Sequence, residues 1–276
     1  AFVALGIRNA IAVIDTETGL VTRTIRVDVA PYHVTLSPDG KRLAVSCRGG
    51  RVATLSQPNA MSAGTAVRID TTTDAALDGS VVVIDTAALR ATQTITGIRQ
   101  PGKSCFMDDS RTLVVPGTDD DMLWKVDLTQ AEPRPVGLSV APVSDAGYGH
   151  IPTAVTALPN GNIAVACGGA NAIAIVSTRE SKVTGYIPTG WYPIAVGVAD
   201  GKLIVANAKG IGGRVKRSNG AYNVHGTVGT LQIVGLDAVS GKALDGNRTT
   251  AWGIHPKVGN PHLAVFIFKE PVSLPL

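Results

Sequence analysis

Three histidines have the clearest capacity for chemistry in this sequence. Neutral imidazoles with a carboxylate suit zinc or another transition metal, and an open coordination position would activate water for hydrolysis. The predicted metal ligands are His33, His150, His225 and Asp119. Their spacing matches no HxH or HExxH motif, so the alternative is that each histidine is a loop residue bonded to the backbone. Both interpretations stay open at this point.

A run of three acidic residues, Asp119, Asp120 and Asp121, suggests calcium instead of zinc. Calcium needs about six or more oxygen ligands, and one acidic triplet supplies fewer. The alternative is a solvated turn. The predicted cofactor is therefore a divalent metal, either zinc or calcium, if one is bound at all.

Aromatic and basic residues form a second candidate set, because aromatic walls and a few convergent polar groups are typical of ligand pockets. The predicted ligand-binding residues are Tyr32, Lys103, Tyr148, Trp191, Tyr192, Arg214 and Arg217. Alternatively, Trp191 packs between structural units, Tyr192 caps a channel, and the basic segment 209–217 is a solvated loop. A small anionic molecule or a protein is the expected partner.

Ser104, between Lys103 and Cys105, is a candidate nucleophile, although the sequence shows no base to activate it. The chain has three cysteines, Cys47, Cys105 and Cys167, and no CxxC motif. We expect buried free thiols and not a disulfide framework.

The net charge is only +4, from 25 basic and 21 acidic residues. No dense basic stripe with interleaved aromatics is present, so we expect no nucleic-acid partner. No run of about eighteen apolar residues occurs, so we also expect no membrane span.

A repeated phrase indicates the elements that must position these residues. Pro, two residues and Val are followed by an Asp-Gly or Asn-Gly turn and an apolar strand, as in 31–45, 152–165 and 193–205. A second strand ending in Asp and a Thr-Gly turn come later. Repeats of short strands and Gly-rich turns are typical of a β-propeller, with one four-stranded antiparallel blade per repeat. The predicted fold class is therefore all-β, in a single domain over 1–276.

The repeat predicts about five blades. They comprise 1–25 plus the tail, 26–96, 97–138, 139–187 and 188–244, with a tail over 245–276. The first blade lacks its innermost strand, which His255–Val258 in the tail could supply. Closing the ring hides both sheet edges, so we expect closure by the C-terminal segment or by a second copy of the chain in a homo-oligomer.

The strand directions predict two different faces. The Asp-Gly and Thr-Gly turns share one face, here called the turn face. The connections after the outermost strand and after the second strand share the opposite one, here called the loop face. Insertions near 48–78 and in the fifth blade fall on the loop face, and function on rigid scaffolds tends to lie on such loops.

Segments 190–196 (GWYPIAV), 203–210 (LIVANAKG) and 224–228 (VHGTV) resemble the YVTN-repeat propellers of bacteria, which are related to seven-bladed lactonases. The resemblance covers most of residues 1–244. It implies a periplasmic or secreted location and a seven-bladed relative, whereas this sequence accounts for about five blades.

Two functions follow as hypotheses. The first is a ligand-binding or interaction propeller with its site at the channel mouth on the loop face. The alternative is a metal-dependent hydrolase acting on a lactone or phosphoester at the same mouth. The sequence contains no catalytic motif that decides between them.

Overall fold

The computed structural model describes residues 1–62, 64–141, 149–210 and 229–236. The described residues form twenty β-strands in antiparallel sheets, which confirms the predicted all-β class with four-stranded blades. They include no helix that is long and apolar enough to cross a bilayer. The predicted closing tail, including His255–Val258, lies outside the described residues.

Five sheets follow one another along the chain and are numbered here as blades. Blade 1 contains β1 (Phe2–Leu5), β2 (Ala10–Ile14) and β3 (Val21–Arg26). Blade 2 contains β4 (Val29–Leu36), β5 (Arg42–Gly50), β8 (Ser80–Asp85) and β9 (Arg90–Thr96), and its insertion forms a separate hairpin of β6 (Asn59–Ser62) and β7 (Thr65–Arg68).

The remaining sheets follow the same order. Blade 3 contains β10 (Cys105–Phe106), β11 (Thr112–Gly117), β12 (Met122–Asp127) and β13 (Val136–Ser139). Blade 4 contains β14 (Pro152–Ala157), β15 (Ile163–Cys167), β16 (Ala172–Ser177) and β17 (Lys182–Pro188). Blade 5 contains β18 (Trp191–Ala199), β19 (Lys202–Gly210) and β20 (Thr230–Gly235).

Contacts between blades show how the strands of one blade correspond to those of the next. The second strands β11 and β15 each contact the first strand of the following blade, β14 and β18. The first strand of the chain, β1, contacts β4 in the same way. β1 therefore stands in the position of a second strand, and the source of the innermost strand of blade 1 stays a prediction.

The core lies between the blades, because an apolar cluster fills the space between each consecutive pair and both faces of blades 2, 3 and 4 are covered. All six residues of β16 are buried, and Ile173 and Ala174 on its opposite faces belong to different apolar clusters. Between blades 2 and 3, Ala44 and Val83 pack with Phe106, Leu113 and other apolar side chains. A near-continuous apolar run is what a sheet covered on both faces requires.

In blades 1, 3 and 4, a polar side chain just before β2, β12 or β16 joins the blade to the next one. Asn9, Asp121 and Asn171 have left-handed backbones, with φ of 51°, 54° and 52°. Their side-chain oxygens accept hydrogen bonds from the backbone N–H of Ala30 (3.0 Å), Ile151 (2.7 Å) and Tyr192 (2.9 Å), each just before a proline. Asn and Asp tolerate this conformation better than other non-glycine residues. These contacts fix where each following blade begins on the loop face.

Candidate functional site

Carboxylates on the turn face accept hydrogen bonds within their own turns. The Asp15 carboxylate accepts hydrogen bonds from the backbone N–H of Glu17 and Thr18, and Asp109 accepts from those of Arg111 and Thr112. Hydrogen bonds from Thr18 and Glu17 lower the pKa of Asp15 below its usual value. Bonds from Thr129 do the same for the pKa of Asp127. These groups stabilise turns and have little capacity left for a ligand.

The loop-face half of the strands has the opposite character. Within the described residues, eight buried side-chain atoms lack a hydrogen-bond partner, and all lie on the connections or strand halves that lead to the loop face. They are His33 Nδ1, Ser46 Oγ, Arg48 Nε, Arg99 Nε, Ser104 Oγ, Asp119 Oδ2, His150 Nδ1 and Asn207 Oδ1. One of them, Asp119 Oδ2, forms an ion pair with Arg99 at 2.6 Å instead of a hydrogen bond. Buried polar atoms without partners are rare in folded proteins, and each calls for an explanation.

Two cations lie over tyrosine rings on this face. The Arg48 guanidinium is 3.6 Å from the centre of the Tyr32 ring, and Tyr32 is 41% exposed. The Lys209 ammonium is 5.0 Å from the centre of the Tyr192 ring. Trp191, beside Tyr192, is also 41% exposed. Three of the predicted aromatic residues are thus accessible or half-accessible on the loop face.

His33 lies on β4 directly opposite Ser46 on β5. Burial and, to a smaller extent, the nearby charge of Lys103 lower the pKa of His33 to about 4. His33 is therefore neutral at pH 7. Its alternative assignment, a histidine bonded to backbone, fails for Nδ1, which has no hydrogen-bond partner.

Lys103 is fixed by backbone contacts with the next blade. Its N–H donates to the carbonyl of Thr153 at 2.9 Å, and its carbonyl accepts from the N–H of Val155 at 3.0 Å. This approach requires Gly102, since a Cβ there would lie 2.6 Å from the Thr153 carbonyl oxygen. Ser104, the candidate nucleophile, is 3% exposed and its hydroxyl has no partner to act as a base. Burial raises the pKa of Cys105 to about 12, which leaves that thiol unreactive.

The three carboxylates of the acidic triplet have three different partners. Asp119 pairs with Arg99 at 2.6 Å, and Asp120 accepts from the indole N–H of Trp124 at 3.0 Å. Asp121 accepts from three backbone N–H groups, at 2.6 to 3.2 Å, in residues 149–151. Asp121 is only 7% exposed, so the alternative of a solvated turn is wrong.

The predicted metal ligands are only partly within the described residues. His150 Nδ1 lies 3.7 Å from Asp121 Oδ2, whereas Asp119 is held by Arg99. No group of three or more His, Cys, Asp or Glu residues comes together in the part of the chain that the structure describes. His225 lies outside that part, as do Tyr148, Arg214 and Arg217. The zinc or calcium site stays a prediction.

The blade 2 insertion forms a pocket at the edge of the loop face that no sequence pattern predicts. Its volume is about 320 Å³. It is lined by Arg51, Val52, Thr54, Gln57, Arg68, Asp78, Gly79 and Thr96. Arg68 and Asp78 lie 3.4 Å apart within it and partly neutralise each other. The insertion itself was visible as a break in the repeat, but no repeat copy predicts how a unique hairpin folds.

Comparison with solved structures supports the propeller fold. The chain is similar to hydrazine synthase of Kuenenia stuttgartiensis (TM-score 0.57, 17% identical, covering 84% of this chain and 58% of that one). It is also similar to the Cps50 (Swd1) β-propeller domain of Myceliophteria thermophila (0.57, 14%, 74% and 57%) and to the Dos1 propeller (0.51, 14%, 75% and 46%).

The chain therefore spans less than two thirds of each of these structures, and at such identities the likeness shows the fold alone. No protein-family model matches the sequence, and no curated protein matches it either.

Proposed function

We propose that this propeller binds a small anionic molecule at the channel mouth on its loop face. One observation carries the proposal: in the described residues, the buried side-chain atoms that make no hydrogen bond all lie toward that face, whereas the turn-face carboxylates are satisfied locally. A rigid frame with unused hydrogen-bonding capacity on one side is what a binding site needs.

The sign of the charge favours an anion. Arg48, Lys103 and Lys209 form no ion pair with any carboxylate in the described residues, and two of them lie over tyrosine rings. The neighbouring carboxylates are occupied: Asp28 accepts from the Ser80 hydroxyl at 2.6 Å, and Asp119 pairs with Arg99. Asp28 also has no ion pair among the described residues, so three cations against one carboxylate leave a positive unpaired charge at the mouth.

The YVTN-repeat type and a periplasmic or secreted location belong to the same proposal. The phrases at 190–196 and 203–210 support them, since they carry the resemblance. A binding propeller outside the cytoplasm is the role that such a resemblance implies.

A thermal-shift screen of the full chain tests the proposal. The panel contains phosphate, acetate and citrate at constant ionic strength. We expect at least one anion to raise the melting temperature of the wild type by mass action. For citrate, the largest of the three anions, the shift should fall in Tyr192→Asn and Lys209→Met. Asn suits the left-handed backbone of residue 192, whose φ is 60°, so the first variant removes the ring without adding strain.

Lys41→Met is the matched control, because Lys41 is an exposed cation in a turn-face loop. Kosmotropic anions stabilise proteins non-specifically, and this control retains that contribution. If no anion raises the melting temperature more in the wild type than in the mouth variants, the proposal is wrong.

A further inference from the structure

The partnerless polar atoms concentrate between blades 2 and 3. Six of the eight belong to residues 33–119, in these two blades and the connection between them, and only Asp119 Oδ2 among the six has an ion-pair partner. We use the name seam cluster for four of these residues together with Lys103, whose charge acts on His33. The cluster comprises His33, Ser46, Arg48, Lys103 and Ser104.

Ser46 points into the space between the two blades. Ala44, two residues earlier on β5, packs with Phe106 and Val115 of blade 3. Alternate residues of a strand share a face, so Ser46 continues that surface toward the loop face. Its side chain is completely buried, and its hydroxyl has no partner.

His33 adds an imidazole to the same surface, because directly opposed residues in an antiparallel pair point to the same side. It is the cross-strand neighbour of Ser46. From blade 3, Ser104 lies immediately before β10 and two residues before Phe106, which packs on blade 2; continuing the alternation of β10 by one residue places Ser104 on that side. Two buried hydroxyls and one imidazole nitrogen thus lie between blades 2 and 3 without hydrogen-bond partners.

The charges around these groups are cationic. Lys103 is close enough to His33 to disfavour its protonation. Arg48 follows Ser46 by two residues on β5, and its buried Nε has no acceptor. No described carboxylate lies within 4 Å of either cation. The region therefore offers more hydrogen-bond donors than acceptors, together with two cations that have no ion pair. This combination suits the binding of an oxyanion.

We propose that the seam cluster binds the oxyanion group, a carboxylate or a phosphate, of a small molecule that enters from the channel mouth. Lys103 and Arg48 neutralise its charge, and Ser46, Ser104 and His33 donate hydrogen bonds to its oxygens. The inference rests on the proposed function and locates the anionic end of its ligand.

Isothermal titration calorimetry on the full chain tests the seam with two probes, inorganic phosphate and acetate, at constant ionic strength. The two arms distinguish a phosphate group from a carboxylate. The variants are Lys103→Met and the double variant Ser46→Ala with Ser104→Ala, beside the mouth variant Tyr192→Asn and the control Lys41→Met. Ser→Ala removes a donor and creates almost no cavity, so these variants should fold.

We expect one probe to bind the wild type and Lys41→Met equally. Each seam variant should raise the dissociation constant about tenfold or more, because hydrogen bonds to charged groups contribute at least that much. Tyr192→Asn should change the affinity of so small a probe by less than about twofold.

Two results would overturn the binding site at the seam. They differ in what they imply for the proposed function. Binding that survives the seam variants and is lost in Tyr192→Asn moves the anion site to the blade 5 side of the mouth. Binding of neither probe at up to about 20 mM contradicts the seam outright. In that case a citrate shift lost in the mouth variants would still support the proposed function, and its absence would remove both.

Discussion

Aspartate side chains have different roles on the two faces of this propeller. On the turn face, Asp15 and Asp109 accept hydrogen bonds from N–H groups two and three residues further on. On the loop face, Asp121 reaches 28 to 30 residues ahead to the start of blade 4. Carboxylates thus close local turns on one face and join blades on the other, and the comparison predicts unequal consequences of their loss.

The largest expected effect is the loss of the Asp121 side chain. Asp121→Gly leaves three backbone N–H groups without their acceptor while keeping the left-handed backbone, whose φ is 54°. We expect the free energy of unfolding to fall by about 3 kcal/mol, since unsatisfied donors cost about 1 kcal/mol or more each. Urea denaturation at pH 7 measures it.

Asp15→Gly is the matched turn-face variant, because Asp15 also accepts hydrogen bonds from its own turn but is fully exposed. Its loss should be much smaller, as water replaces the missing acceptor. Equal losses in the two variants would break the comparison between local and inter-blade carboxylates.

The second effect is a pH dependence that separates the faces. His33 takes up a proton near pH 6.5 when unfolded but only near pH 4 when folded. The unfolded state therefore binds more protons between these values, and stability falls as the pH falls through that window. From pH 7 to pH 5, this histidine should remove about 2 kcal/mol of unfolding free energy.

Turn-face carboxylates act in a lower window. Their folded pKa values are depressed, so the stability that they contribute is present above the usual carboxyl range and is lost only as the pH falls through it. His33→Asn should therefore flatten the stability profile between pH 7 and 5 and leave the steeper acid limb unchanged. Identical profiles in wild type and variant would contradict the assigned burial of His33.

The third and smallest effect contrasts a partnerless hydroxyl with a partnered one. The Thr153 hydroxyl lies 2.8 Å from the Pro193 carbonyl oxygen and links blade 4 to blade 5. Thr153→Val should cost about 1 kcal/mol, whereas Ser46→Ala should be neutral or stabilising by a similar amount. Melting temperatures of the two variants test this, and a destabilised Ser46→Ala would mean that its hydroxyl has a partner.

The sequence predicted the strands and turns of the blades well because they repeat along the chain. Prolines 31, 152 and 193 and the Gly-containing turns mark equivalent strand starts in three blades, so one copy interprets another. The aromatic candidates Tyr32, Trp191 and Tyr192 followed from their place on the loop-face connections.

What the sequence could not predict depends on contacts between distant residues. Asp121 and Asp119 are neighbours in the chain, but one binds backbone N–H groups of blade 4 and the other pairs with Arg99. Ser46 lies in an ordinary strand, and only the packing of blade 2 on blade 3 shows that its hydroxyl is buried without a partner. The pocket of the blade 2 insertion has no second copy to compare.

Hydrogen–deuterium exchange with a bound anion tests the two-face account most directly. The probe is whichever of phosphate, acetate or citrate raises the melting temperature most. The account predicts slower exchange in loop-face segments 28–34, 99–105 and 189–193, and unchanged exchange in turn-face segments 15–19, 38–41 and 85–89. Protection confined to the turn-face segments would contradict it.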